Sequence, residues 1–400
     1  MQTSKPRLWT KDFIIIWQTT FLLALLYFLT MTTITGYVLE NFDASQSKAG
    51  LAASIFVIGV LTARFITGKY LDIIGRKKLL YIGLVLSFVV SLLFFSIENL
   101  NALILIRFVQ GLVMGIAISV LQISIMNIIP VDRQGEGISY YSLSLILATA
   151  IGPFIGVFIM QMGNMSMIFI VCTFLCFICI LLSLFTSIPK VELTSEQRED
   201  VKGFQLKNFI DKRALPIAAM AGILAICYSG ILSFLASYSM EINLLSAASY
   251  FFIVYSVFIL MSRPFTGRIL DTKGDNIVMF PAFILFIAGL LVLSQAENEI
   301  TLLIAGALAG LGFGNLQSAS QAIAVKRASR HRVGIATSTF WICFDLGMGI
   351  GPFLLGSLIP FIGYRNLYVT LAIVVLICTS LYYFLHGKKK SFNKELTPGV

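Results

Sequence analysis

The chain has 400 residues, of which 58% are hydrophobic and 12% charged, with a formal net charge of +10. A soluble domain of this size carries roughly a quarter charged residues, so this chain belongs in a lipid bilayer. Its Lys and Arg are spread over alternate loops and the C-terminal tail instead of forming one stripe, which excludes a nucleic-acid surface and points to charge sorting across a membrane.

Met1 to Asp12 is a basic start, and the apolar stretch after it is too long for a signal-peptide core and has no small-residue cleavage site. It is expected to be the first spanning helix. Hydropathy predicts spans over 13–37, 49–71, 79–97, 102–129, 138–161 and 166–188, and a second set over 214–239, 248–270, 276–295, 300–325, 334–359 and 365–386. Each can cross about 30 Å of hydrocarbon at 1.5 Å per residue. Twelve spans put both termini on one face. That face is expected to be cytoplasmic, because only Lys48 and Arg365 among the loop cations fall on the other.

The expected organisation is an all-α polytopic membrane protein. It has a six-helix bundle over 1–188, a cytoplasmic linker over 189–213, a second six-helix bundle over 214–387 and a cytoplasmic tail over 388–400. The linker is polar, is expected to be partly an amphipathic helix and carries no catalytic signature. Lys388, Lys389 and Lys390 in the tail suit contact with anionic headgroups. Cys172, Cys176 and Cys179 share one helix face at i, i+4 and i+7, but no His or carboxylate stands near them at that depth. They read as packing residues, and no metal site is expected. His331 and His386 lie in basic loops, with nothing nearby in sequence to give them a ligand or catalytic role.

The second set of spans repeats the first. Arg64 to Gly75, R-F-I-T-G-K-Y-L-D-I-I-G, and Arg263 to Gly274, R-P-F-T-G-R-I-L-D-T-K-G, match at Arg, Thr, Gly, Leu, Asp and Gly at an offset of 199 residues (267 − 68). The same offset carries Gly111 onto Gly310, Gly115 onto Gly314, Gln122 onto Gln321, Arg133 onto Arg332, Gly135 onto Gly334, and Gly152-Pro153 onto Gly351-Pro352. So many pairs at one offset indicate an internal duplication, the ground plan of a transporter whose halves rock against each other.

With Arg76, Lys77 and Lys78 added, the first copy resembles the loop signature of the major facilitator superfamily, G-x-x-x-D-x-x-G-R-[KR]-[KR]. Ile73 stands where that motif usually has Arg or Lys. Arg107-Phe-Val-Gln110-Gly111-Leu-Val-Met-Gly115 resembles the superfamily's helix-four signature. Gly152-Pro153 with Gly156 partly resembles its antiporter signature, and Ala148 and Val157 replace two of the glycines. The whole chain is most similar to the twelve-helix drug:proton antiporter branch.

That resemblance implies gating roles for Gly68, Asp72, Gly75, Arg76 and Lys77 in the first loop, for Asp271 in its copy, and for Gly152, Pro153, Gly351 and Pro352. Asp72 is expected to face the N-terminus of helix eleven when the cytoplasmic gate is closed, where the macrodipole favours a carboxylate. Spans 1, 4, 7 and 10 line the pathway in this superfamily, which makes Tyr27, Gln110, Gln122, Tyr228, Tyr238, Asn315 and Gln317 candidate cavity residues.

Two ionisable groups are expected inside the membrane. Arg107 keeps its proton and is costly in hydrocarbon, so it needs a polar cavity or a partner; snorkelling to the headgroups is the alternative. Asp345 is the only acidic residue well inside a span. A carboxylate there pairs with a cation or takes up a proton, because burial disfavours the charged form. Reversible protonation is what a proton-coupled transporter needs; a structural contact to Trp341 or a neighbouring hydroxyl is the bland account.

These features lead to a proton-coupled secondary-active exporter of small amphipathic organic molecules. A dedicated exporter of one endogenous metabolite, such as a metallophore or siderophore, is the alternative, and a sugar or nutrient transporter a weaker one. The first span carries no carboxylate of the kind that several multidrug members use for cationic substrates. The 33 Phe and 14 Tyr suit a mostly apolar cavity. No Walker sequence, filter-like loop or catalytic constellation is present, so neither an ATP-driven pump, a channel nor a membrane enzyme is expected. The expected partners are substrate, protons and lipid, with no cofactor and no nucleic acid, and the expected state is a monomer.

Overall fold

The structure, a computed structural model, describes residues 7–130, 133–162, 166–188, 210–328 and 333–387. Most of the linker, the tail, and His331 with Arg332 lie outside the described residues.

Ten helices follow in order: α1 Lys11–Phe42, α2 Gln46–Ile74, α3 Arg76–Leu93, α4 Leu100–Ile128, α5 Gln134–Gln161, α6 Ser166–Leu184, α7 Leu215–Glu241, α8 Leu245–Thr272, α9 Asp275–Ser294 and α10 Glu299–Arg327. A last helical stretch runs Val333–Tyr382, 50 residues. Unbroken it would extend about 75 Å, more than twice the hydrocarbon thickness. Gly363 interrupts it at φ 72°, ψ 169°, a backbone that costs glycine little and other residues more. We call its parts α11 (333–362) and α12 (364–382), which completes twelve helices among the described residues. Tyr383–Gly387 closes the described chain as a short π-helix.

Two compact units divide the chain. The first holds 1–45 and 51–204; the second holds 205–400 together with Gln46–Gly50. In the first, α1 packs on α5 and α6, and α3 on α4 and α6. In the second, α7 packs on α11, and α10 on α8 and α9. Apolar side chains on the outer faces, such as Phe174, Phe177 and Phe185 around α6 and Ile373, Leu376 and Ile377 on α12, are left exposed, as lipid contact requires.

The duplication extends to details of backbone and packing. Asn99 caps α4 by accepting from the Ala102 amide at 2.9 Å, and Asn298, 199 residues later, caps α10 by accepting from the Thr301 amide at 3.0 Å. Gly75 (φ 96°) and Gly274 (φ 98°) turn the chain into α3 and α9, both at a positive φ. This explains the glycine at the end of each loop copy.

Where α4 crosses α2, a Cβ on Gly111 would overlap the Phe56 carbonyl; where α10 crosses α8, a Cβ on Gly310 would overlap the Tyr255 carbonyl. Phe56 and Tyr255 are themselves 199 residues apart. Both crossings therefore bring two helix backbones into contact through a missing side chain. Gly111→Ala is expected to force them apart at a cost of about 1–3 kcal/mol. A lowered unfolding midpoint in a detergent thermal-shift assay checks this; an unchanged midpoint would mean the crossing relaxes freely.

Candidate functional site

Arg107 stands seven residues into α4 and is completely buried. Headgroup snorkelling is thereby excluded, since the guanidinium is enclosed within the first unit. Nε donates to the Ala52 carbonyl on α2 at 3.2 Å, and Nη1 donates to Gln110 Oε1 at 2.8 Å and to Thr30 Oγ1 on α1 at 3.3 Å. Thr30 can accept because its own hydroxyl proton goes to the Leu26 carbonyl at 2.9 Å. The Phe56 ring lies 4.5 Å from the guanidinium carbon, a cation–π contact, and Nη2 has no hydrogen-bond partner. Among the described residues no carboxylate lies within ion-pair reach. Hydrogen bonds to a charged group contribute about 1.5–3 kcal/mol each. Three of them with the ring can hold a cation whose insertion costs about 3 kcal/mol or more.

Comparison of the two copies separates what packing needs from what it does not. At the offset of 199, Arg107 corresponds to Gly306 and Ala52 to Phe251. A Cβ on Gly306 would lie 3.0 Å from the Phe251 carbonyl oxygen and 3.1 Å from its ring. In the second unit an aromatic ring thus stands against glycine where, in the first, a guanidinium stands against alanine. The second unit builds the corresponding crossing without charge.

Asp345 shows the same asymmetry. It lies twelve residues into α11, about 18 Å along the axis, and its counterpart in α5 is Ile146. Among the described residues it is the one carboxylate in the interior of a helix, and it is half-buried. Around it α11 is pressed onto α7: a Cβ on Gly347 would overlap the Gly222 carbonyl, and Gly351 sits equally close to Ser229. In α5, Gly152 and Gly156 play this part against Leu25, Phe28 and Leu29 of α1. The two Gly-Pro segments are therefore close-packing points inside each unit.

The other predicted residues fall into four groups. Gln110 is joined to Arg107, and Tyr27 packs its ring 5.5 Å from Phe56, so these two belong to the arginine site. Gln122 accepts from Arg64 Nη1 at 3.3 Å. Tyr228, Tyr238 and Asn315 are buried in the second unit. Tyr228 stacks on Phe313 (4.2 Å) and on Tyr255 (5.6 Å), Tyr238 donates to the Leu293 carbonyl at 3.1 Å, and Asn315 exchanges hydrogen bonds with Ser262 while accepting from Thr266. Their side chains are engaged in helix packing; Gln317 is half-buried on α10.

Of the gating set, Gly75 makes the turn into α3, and Arg76 and Lys77 are its first two residues. Gly68 lies within α2, while Asp72 and Asp271 lie in α2 and α8 with side chains outside the described residues. At the start of α5, Arg133 bonds Glu136 through two nitrogens at 2.9 and 2.7 Å, and this partner raises the guanidinium above its ordinary value.

One sequence expectation needs correction. His386 is not an idle loop residue: it is buried, with Nε2 2.9 Å from Asp275 Oδ2 and Nδ1 in contact with Arg327 Nη2. Its partners lie 111 and 59 residues away in sequence, so no local pattern could have revealed them.

Two repeated units of membrane-spanning helices are the ground plan of a membrane transporter. The sequence model of the Major Facilitator Superfamily matches residues 16–294 and 245–399, and the chain belongs to that family. It is 22% identical to the multidrug resistance protein MdtG of Dickeya zeae over 99% of each chain. It is 20% identical to the staphylopine export protein of Staphylococcus aureus over 90% of each. In fold it is similar to a crystallised POT family transporter, with a TM-score of 0.78, 14% identity and 94% of this chain and 96% of that one covered. A bacterial homologue of the lysosomal transporter Spinster is similar at a TM-score of 0.76 and 13% identity, with the same shares covered.

Proposed function

We propose that this transporter is a proton-coupled exporter of small amphipathic organic molecules across the cytoplasmic membrane, working by alternating access. Asp345 takes up and releases the coupling proton, and Arg107 responds through the helices it joins. The observation that carries the reading is the asymmetry: duplication copied caps, turns and crossings, yet a carboxylate stands at 345 against Ile146 and a guanidinium at 107 against Gly306. An ionisable side chain inside a span, at a place where the other copy packs without one, supports a functional role. Export, as opposed to uptake, is supported by the similarity to MdtG and to the staphylopine export protein.

The second reading, a dedicated exporter of one endogenous metabolite such as a metallophore or siderophore, has an observation of its own. Between Asp12 and Glu40, α1 carries no charged residue, and the charged side chain bonded to it there among the described residues is the cation Arg107, on Thr30. A cationic drug would find no counter-ion there, whereas a substrate bearing a carboxylate would not need one. Liposomes holding the purified protein and a pH dye, offered amphipathic drugs, metallophores and sugars in turn, test both readings. Proton movement with drugs supports the first, movement with metallophores alone supports the second, and none with either class rejects export.

A further inference from the structure

We propose that His386 is a second proton-binding site, separate from Asp345, which clasps three helix ends of the second unit and opens when it is protonated. Asp275 is the first residue of α9, Arg327 the last of α10, and His386 lies on the π-helix that follows α12. Asp275 and His386 are 3% and 7% exposed. Neighbouring bonds complete the junction: Tyr382 donates to Asn276 Oδ1 at 2.9 Å, and Asn276 Nδ2 donates to the Gly387 carbonyl at 3.2 Å.

The chemistry of the two partners decides the protonation state of the ring. A carboxylate only accepts, so Nε2 facing Asp275 carries hydrogen; a guanidinium only donates, so Nδ1 facing Arg327 must offer its lone pair. The clasp therefore selects the neutral imidazole with hydrogen on Nε2, bridging an anion and a cation. A proton added at Nδ1 sets N–H against N–H and a second positive charge against Arg327. Asp275 keeps its bond to the imidazolium, and Arg327 has to leave.

Among the described residues the contacts on the ring are Asp275 from α9, Arg327 from α10 and Tyr382 at the end of α12, whose ring centroid is 5.4 Å away; Asn276 is one bond removed, on Tyr382. Lys273 and Lys326 are exposed. Histidine is the side chain whose charge changes within the range of cellular pH.

The site is private to the second unit, because the counterparts of Asp275 and Arg327 are Arg76 and Ile128. Asp275 directly follows Gly274, so the clasp ties the second copy of the loop motif to the end of the last helix. Acid on this face frees that loop.

The test is independent of transport. In the full chain with His331→Gln, His386 is the sole imidazole, since the sequence has 2 His. Nitrogen-15 histidine spectra in nanodiscs report its tautomer, and dipolar broadening between spin-labelled unnatural residues at the exposed positions 277 and 384 reports the junction. From pH 8 to pH 5 the neutral tautomer is expected to give way to the imidazolium while the broadening is lost. His386→Gln, which can donate and accept but cannot charge, is expected to keep the broadening at both pH values, and His386→Lys to lack it at both. A wild-type ring that stays neutral down to pH 5, a ring that charges without loss of broadening, or a Gln variant that opens like wild type would each overturn the proposal. The wild-type titration decides even if a variant does not fold.

Discussion

Asp345→Asn is expected to reduce pH-driven transport to the level of protein-free liposomes while leaving the protein folded. The amide matches the carboxylate in shape and keeps a hydrogen-bonding group at the half-buried position, but it cannot take up a proton. Substrate exchange at equal pH on both sides needs no net proton movement, so it should survive. The split between the two assays separates a coupling role from a structural one. If Asp345 merely held α11 through a polar contact, exchange and driven transport would fall together with the unfolding midpoint. Undiminished driven flux in the Asn variant would remove the residue from the mechanism.

The second large effect concerns Arg107 and makes use of the repeat. Arg107→Gly leaves a cavity and strands Gln110, whereas Ala52→Phe drives a ring into the guanidinium. Combined, they rebuild the first crossing in the pattern of the second unit, where Gly306 faces Phe251. The double variant is expected to recover about 0.5–3 kcal/mol relative to the sum of the single changes. It should nevertheless transport nothing, because the packing is restored and the charge is not. Arg107→Lys should fail as well, since a compact ammonium cannot reach Ala52, Thr30 and Gln110 with one planar fork. A stable double variant that still transports would show the arginine to be a packing choice.

How much of this was legible in the sequence follows from the range of each signal. Spans, repeat and loop turns are local patterns, and the glycines at 75 and 274 could be read because a turn at positive φ needs them. The fourth span is predicted to begin at residue 102 and the helix begins at Leu100, because helix ends are set by caps such as Asn99 that hydropathy does not weigh.

The exchange of Arg107 with Ala52 for Gly306 with Phe251 could not be seen until α2 was laid on α4 and α8 on α10. Tyr238 and Asn315 read as cavity residues because polarity in a span marks function or packing equally well. In the structure Tyr238 bonds the Leu293 carbonyl and Asn315 bonds Ser262 and Thr266, partners that no pattern beside them announces. His386 gives no local signal at all, since a buried junction of three helix ends leaves no trace in the residues beside it.

Proton coupling is the central claim, and simultaneous measurement of substrate and proton flux in the same liposomes tests it most directly. With wild-type protein, adding substrate under an imposed pH gradient should move protons and substrate in opposite directions at a fixed ratio. With Asp345→Asn the proton signal should vanish. Substrate flux that proceeds at the wild-type rate while the pH dye stays silent would contradict the account.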